Sequence, residues 1–194
     1  MSARILVLPG SNRLDSNSRK LAAEAARLLS LTEATITFVN LSDYPLPIYD
    51  GDLDEHGTLP ENAALLAHRI AAQDGLLVVS PEYNASMPAL LKNVLDWVSR
   101  VRKVHGRPVQ PFARLVVGLA STSSGPYGGM RALAALRPVM MTLGAEVLTT
   151  QCMVANAREG FDDAGRLVDD GARMALDGLI ASLLDHTRAV GRHD

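Results

Sequence analysis

A chain of 194 residues with 47% hydrophobic and 4% aromatic content can bury one α/β core, carried by alanine and leucine. Its net charge of −2 argues against a basic nucleic-acid surface and against a very acidic carrier that docks through charge. The one cysteine, Cys152, excludes an intramolecular disulfide and CxxC redox chemistry, and no stretch reaches the roughly 20 apolar residues that span a bilayer. The apolar run after Met1 is too short for a signal peptide, so the expected location is the cytoplasm.

In chain order, residues 3–8 form an expected first strand. The polar stretch Gly10-Ser11-Asn12-Arg13-Leu14-Asp15-Ser16-Asn17-Ser18 follows. Ser18 is the expected N-cap of a helix whose face carries Leu21, Ala22, Ala25, Leu28 and Leu29. A second strand is expected at 34–39. Residues 40–60, with Pro45, Pro47, Gly51, Gly57 and Pro60, exclude a long regular element. Asp50, Asp52, Asp54 and Glu55 partly imitate a calcium loop, but its sixth position needs glycine and holds Glu55, so a solvated acidic loop without metal is expected. A helix over 61–73 leads to an unbroken apolar strand at 75–80, suited to the centre of a parallel sheet.

Ser80-Pro81-Glu82-Tyr83-Asn84-Ala85-Ser86-Met87-Pro88 then enters a helix, with Ser86 as cap and Pro88 in its first turn. Met87, Leu90, Leu91, Val94, Leu95 and Val98 make its apolar stripe. Lys92, Asn93, Asp96 and Trp97 lie off it, with Trp97 either at an interface or pocket wall or packed. The connection 100–111, with Arg102, Lys103, His105 and Arg107, is a solvated loop or a weak anion funnel. A fourth strand at 113–120 delivers the hydroxyl- and glycine-rich stretch from Ser121 to Gly129. The next helix contains Pro138, which should kink or split it. A fifth strand lies within 146–153, a last helix over 167–186, and 187–194 is expected to fray.

Five strands alternating with five helices predict one α/β domain over 1–194. It is a doubly wound five-stranded parallel sheet of order 2-1-3-4-5, with helices on both faces. Three polar or glycine-rich loops leave carboxyl ends of strands, the edge where such sheets bind ligands. The first suits an anion: a helix N-terminus, the hydroxyls of Ser11, Ser16 and Ser18, and the Arg13 guanidinium. It lacks the Lys-Ser/Thr ending of a P-loop and the glycines of a dinucleotide fingerprint, so a single phosphate monoester is expected. By itself the stretch is equally an ordinary polar loop with a serine cap.

Taken together, these residues resemble the NADPH-dependent FMN reductase family, which is flavodoxin-like. Gly10-Ser11-Asn12-Arg13 with Ser16 to Ser18 looks like its FMN phosphate loop. Its most specific motif is matched by Pro81-Glu82-Tyr83-Asn84-x-Ser86-x-Pro88 through Leu91-Lys92-Asn93 and Asp96-Trp97. The third block is Gly128-Gly129, Leu136-Arg137 and Leu143-Gly144-Ala145. Asp15 stands where a small residue is common in the family.

The resemblance implies noncovalent FMN, with Ser11, Arg13, Ser16, Asn17 and Ser18 on its phosphate. Pro81, Glu82, Tyr83 and Asn84 would lie along the ring, and Ser121, Thr122, Ser123 and Gly125 would close the other side. It further implies hydride transfer from NADPH or NADH through the flavin to a flavin, quinone or similar small acceptor, with no side-chain nucleophile or base. A homodimer or homotetramer is implied, with Asn93, Asp96, Trp97 and Arg100 at the contact. The alternatives are a non-enzymatic flavodoxin-like electron carrier and a flavin-free relative that senses a phosphorylated metabolite.

Overall fold

A computed structural model describes residues 2–57, 59–104 and 106–192. Parallel strands β1 (Arg4–Pro9), β2 (Thr35–Phe38), β3 (Gly75–Pro81), β6 (Val116–Thr122) and β7 (Glu146–Val154) form one sheet of order β2-β1-β3-β6-β7. That is the expected 2-1-3-4-5 order. The remaining strands, β4 (Lys103–Val104) and β5 (Arg107–Pro108), pair as an antiparallel hairpin. The basic connection therefore contains two short strands; its His105 lies outside the described residues.

Strand alternation divides the core into two layers. Leu6, Leu8, Leu76, Val78, Val117 and Leu119 face α3 (Glu61–Ala71), α4 (Ala89–Arg100) and α5 (Met130–Thr142). Ile5, Val7, Leu77, Val79, Val116 and Ala120 face α1 (Asn17–Ser30) and α6 (Asp170–Val190). Both faces are covered, which explains the unbroken apolar runs of β1, β3 and β6.

Several expected boundaries move. The helix at 130–142 continues through Pro138. Proline removes the donor to the Ala134 carbonyl, but Ala134 is exposed to water, while buried Leu133, Leu136 and Met140 hold both halves to the sheet. The last helix extends to Val190, so residues 187–190 do not fray. Thr187 is fully buried over Gly75, where a Cβ would come within 2.9 Å of the Thr187 Oγ1. Arg192 then donates to the Ala71 and Pro111 carbonyls; His193 and Asp194 lie outside the described residues.

The 40–60 stretch holds a 3-10 turn at Leu41–Asp43 and a short helix, α2 (Gly51–Glu55). The acidic residues serve this local structure. The Asp50 side chain caps α2 by accepting from the Asp52 N–H at 2.9 Å, and Asp54 accepts from the Tyr49 hydroxyl and pairs with Arg100. Trp97 proves to be a packing residue. It is fully buried, donates its indole N–H to the Pro47 carbonyl at 2.8 Å, and meets the Tyr49 ring edge-on. Asn93 is engaged on the same segment, donating to the Pro47 carbonyl and accepting from the Tyr49 N–H. Half of the expected subunit contact is thus covered by the chain itself.

Candidate active site

The three loops expected at the carboxyl edge converge on a cavity of about 370 Å³. The first loop contributes Arg13, Asp15, Ser16, Asn17, Ser18 and Lys20 to its wall. The second contributes Pro81, Glu82 and Tyr83, and the third Thr122, Ser123 and Ser124, with Arg158 beyond β7. A larger groove of about 660 Å³ lies between the C-terminal ends of α4 and α5, at the opposite edge of the sheet, and contains Arg100 and Arg102. The carboxyl-edge cavity is the candidate site because polar groups from separate loops meet there. Arg102, Lys103 and Arg107 are absent from its wall, and Arg102 lines the larger groove instead.

At the first loop, Ser16 and not Ser18 occupies the N-cap position of α1, and its side chain makes no capping hydrogen bond. Its hydroxyl instead meets that of Ser18, Oγ to Oγ 2.7 Å, and both residues are buried. One proton serves that contact, so the pair retains another for a ligand. The backbone N–H groups at positions 17 and 18 open the helix and have no intrahelical acceptor. Ser11 is buried, and its Oγ accepts from the Arg13 N–H at 3.3 Å. Asp15 does not spoil the cradle. Its carboxylate pairs with Lys20 at 2.8 Å and is 84% exposed, and that hydrogen bond and charge hold it below the usual carboxylate range. Among the described residues, the Arg13 and Arg158 guanidinium groups make no ion pair. Hydroxyls, orphan N–H groups and two unneutralised cations fit a phosphate dianion.

The second loop leaves β3 at buried Pro81 and closes a two-residue turn. The Tyr83 and Ser86 N–H groups each donate to the other's carbonyl at 3.0 Å. Asn84 and Ala85 occupy the turn with φ of 49° and 63°. Ser86 is therefore committed to the turn, and Pro88 holds the N-cap position of α4. Tyr83 is left 46% exposed at the rim.

In the third loop, Ser121 donates its buried hydroxyl to the Gly128 carbonyl at 2.7 Å. Gly129 has φ of 88°, and a Cβ there would lie 2.7 Å from the Ser121 Cβ, so only glycine fits. The loop is bonded to the segment after β7. The Ser123 N–H donates to Val154, Ala157 to Ser123, and Asn156 to Gly125.

Nine expected residues line the one cavity: Arg13, Ser16, Asn17, Ser18, Pro81, Glu82, Tyr83, Thr122 and Ser123. Ser11, Asn84, Ser121 and Gly125 are not part of its wall. Lys20 and Arg158 join the nine on the wall. Arg158 belongs to no motif; only the bonding of its segment to the third loop brings it to the cavity.

Sheet order and a phosphate-suited loop at the switch point define a flavodoxin-like class of nucleotide-binding α/β protein. The chain matches the family model for NADPH-dependent FMN reductase over residues 3–159. It is 33% identical over 171 residues to the NAD(P)H-dependent FMN reductase PA1204 of Pseudomonas aeruginosa, covering 88% of this chain and 87% of that one. It is 35% identical over 182 residues to a 2-hydroxy-1,4-benzoquinone reductase of a Burkholderia species, covering 91% of each. Among solved structures it resembles FerB, a flavoenzyme NAD(P)H:(acceptor) oxidoreductase of Paracoccus denitrificans. The TM-score is 0.80 at 25% identity, over 98% of this chain and all of that one. The chain belongs to the NADPH-dependent FMN reductase family. It is an oxidoreductase with FMN as cofactor and NAD(P)H as co-substrate, and the non-enzymatic carrier is not favoured.

Proposed function

We propose that the protein reduces a small quinone or flavin with NAD(P)H, and that the carboxyl-edge cavity holds FMN. When bound, FMN supplies the two-electron chemistry, accepting hydride from the nicotinamide and passing it to the acceptor. Ser16, Ser18, Arg13 and the N-terminal N–H groups of α1 would hold the phosphate. Ser11 acts behind them by fixing the Arg13 backbone. Pro81, Tyr83 and Asn84 would shape one wall of the ring site, and Thr122, Ser123 and Gly125 the other. Ser121 serves by holding Gly128 in place. Exposed Tyr83 would meet the nicotinamide and the acceptor in turn.

The observation that carries this reading is the buried Ser16–Ser18 hydroxyl pair, turned away from the helix it could cap. The quinone class is supported by the relatives named above. The reading includes a cytoplasmic location and a homodimer or homotetramer. For the latter, Lys92, Asp96 and Arg100 on the groove side of α4 are offered as contacts in place of Asn93 and Trp97. The test is an anaerobic titration of FMN-loaded protein with NADPH and NADH, followed by a quinone. Bleaching by nicotinamide and recovery on adding quinone are expected; loaded protein that neither nicotinamide bleaches would overturn the reading.

A further inference from the structure

Glu82 reaches beyond the loop that carries it. Its carboxylate, with the side chain only 5% exposed, crosses to the first turn of α5. Oε2 accepts from the backbone N–H groups of Arg131 at 3.1 Å and Ala132 at 3.3 Å. Oε1 accepts from the Arg131 Nε at 2.8 Å and lies 2.5 Å from its second guanidinium nitrogen. Helix α5 needs this help. Its N-cap position is Gly129, which has no side chain to offer and tolerates none. The cap therefore comes from a loop 49 residues away in sequence. Arg131 also lies over the exposed Tyr127 ring, 5.6 Å from its centre.

We propose that Glu82 and Arg131 form a positioning clasp that joins the second and third loops and balances charge at the cavity wall. This rests on the FMN reading above. Glu82 belongs to the cavity wall and its side chain is buried, so water screens its charge only weakly. The carboxylate offsets both the guanidinium and the partial positive charge of the α5 N-terminus. Removing the carboxylate alone leaves those positive charges uncompensated and favours the more negative, reduced form of the flavin. Removing the guanidinium alone leaves a buried anion and disfavours that form. A residue that merely capped a helix would not produce opposite signs.

The test measures the midpoint potential of FMN-loaded wild type, E82Q, R131Q, R131K and the double variant E82Q/R131Q, beside the melting temperature of each apoprotein. E82Q should raise the ratio of reduced- to oxidised-flavin affinity about tenfold, a shift of roughly 30 mV upward for a two-electron couple. R131Q should shift the potential downward. R131K, which keeps the charge, should stay near wild type, and the double variant should fall between the singles. Both singles moving the same way, or potentials unchanged while only melting temperatures fall, would overturn the clasp. If E82Q does not fold, the contrast between R131Q and R131K decides. A wild type that takes up no FMN overturns the functional reading and this proposal with it. A wild type that binds FMN but fails the sign test overturns this proposal alone.

Discussion

Ser16 and Ser18 point their hydroxyls at one another across 2.7 Å at the mouth of α1, and neither caps the helix. A serine at an N-cap position ordinarily bonds a backbone N–H two or three residues on. Here the Arg19 N–H donates to the Ser16 carbonyl at 2.9 Å, and the N–H groups at positions 17 and 18 are left without a helix acceptor at the cavity wall.

The first prediction follows from that geometry. Ser16→Ala and Ser18→Ala should each weaken FMN binding by about 1.5–3 kcal/mol, the range for a hydrogen bond to a charged group. Ser16→Ala should cost the apoprotein less than the roughly 1 kcal/mol of an ordinary cap deletion, because no capping bond exists to lose. Fluorescence titration with FMN and thermal melting of the apoprotein measure the two quantities. A large loss of apoprotein stability with unchanged FMN affinity would return Ser16 to a purely structural role.

Arg13 and Arg158 reach the same cavity from opposite loops. Arg13→Ala should weaken FMN binding by about 1.5–3 kcal/mol. Arg158→Ala should weaken it less, since Arg158 lies beyond β7 and not in the loop that opens α1, and should flatten the dependence of affinity on ionic strength. Titrations at low and high salt separate the two residues; an Arg158→Ala variant with the wild-type salt response would remove that arginine from the site.

Ala85 sits in a turn with φ of 63°, where a Cβ costs roughly 1–2 kcal/mol. Ala85→Gly relieves that cost at the expense of a more flexible unfolded chain. The expected outcome is a gain of about 0.5–1 kcal/mol in denaturant unfolding. Gly129→Ala should be strongly destabilising, because the new methyl meets the Ser121 side chain. A gain in stability from Gly129→Ala would show that the third loop is not packed as described.

Burial pushes the Cys152 thiol up from 9.0 to about 12. The folded state therefore holds its proton where the unfolded chain releases it. The resulting contribution to stability is complete below about pH 9 and declines as pH rises toward 12. Native protein at pH 8 should resist a thiol-specific reagent, and denatured protein should react at once. Comparing Cys152→Ala with wild type in unfolding titrations at pH 8 and 10 tests the sign: the stability difference should shrink at the higher pH.

Legibility differed between elements for physical reasons. Apolar strands were plain because a strand covered on both faces cannot hide its composition, and the three loops were plain because glycine, proline and hydroxyl residues interrupt those runs. Trp97 was ambiguous because helical spacing placed it off the stripe. It is buried by the 40–60 segment, whose path no periodicity describes. At Pro138 the local rule predicts a break, and packing of α5 on the sheet overrides it.

From the chain alone come the alternation of strands and helices, the sheet order that this alternation favours, and the polar character of the loops at one rim. These are properties of neighbours in sequence, set by side-chain period and backbone freedom. Folding decided which polar groups face one another. It turned Ser16 toward Ser18, brought Arg158 to the cavity, and carried Glu82 across to α5. The last two join residues from the ends of different strands, and their distances depend on how the whole sheet and its covering helices pack.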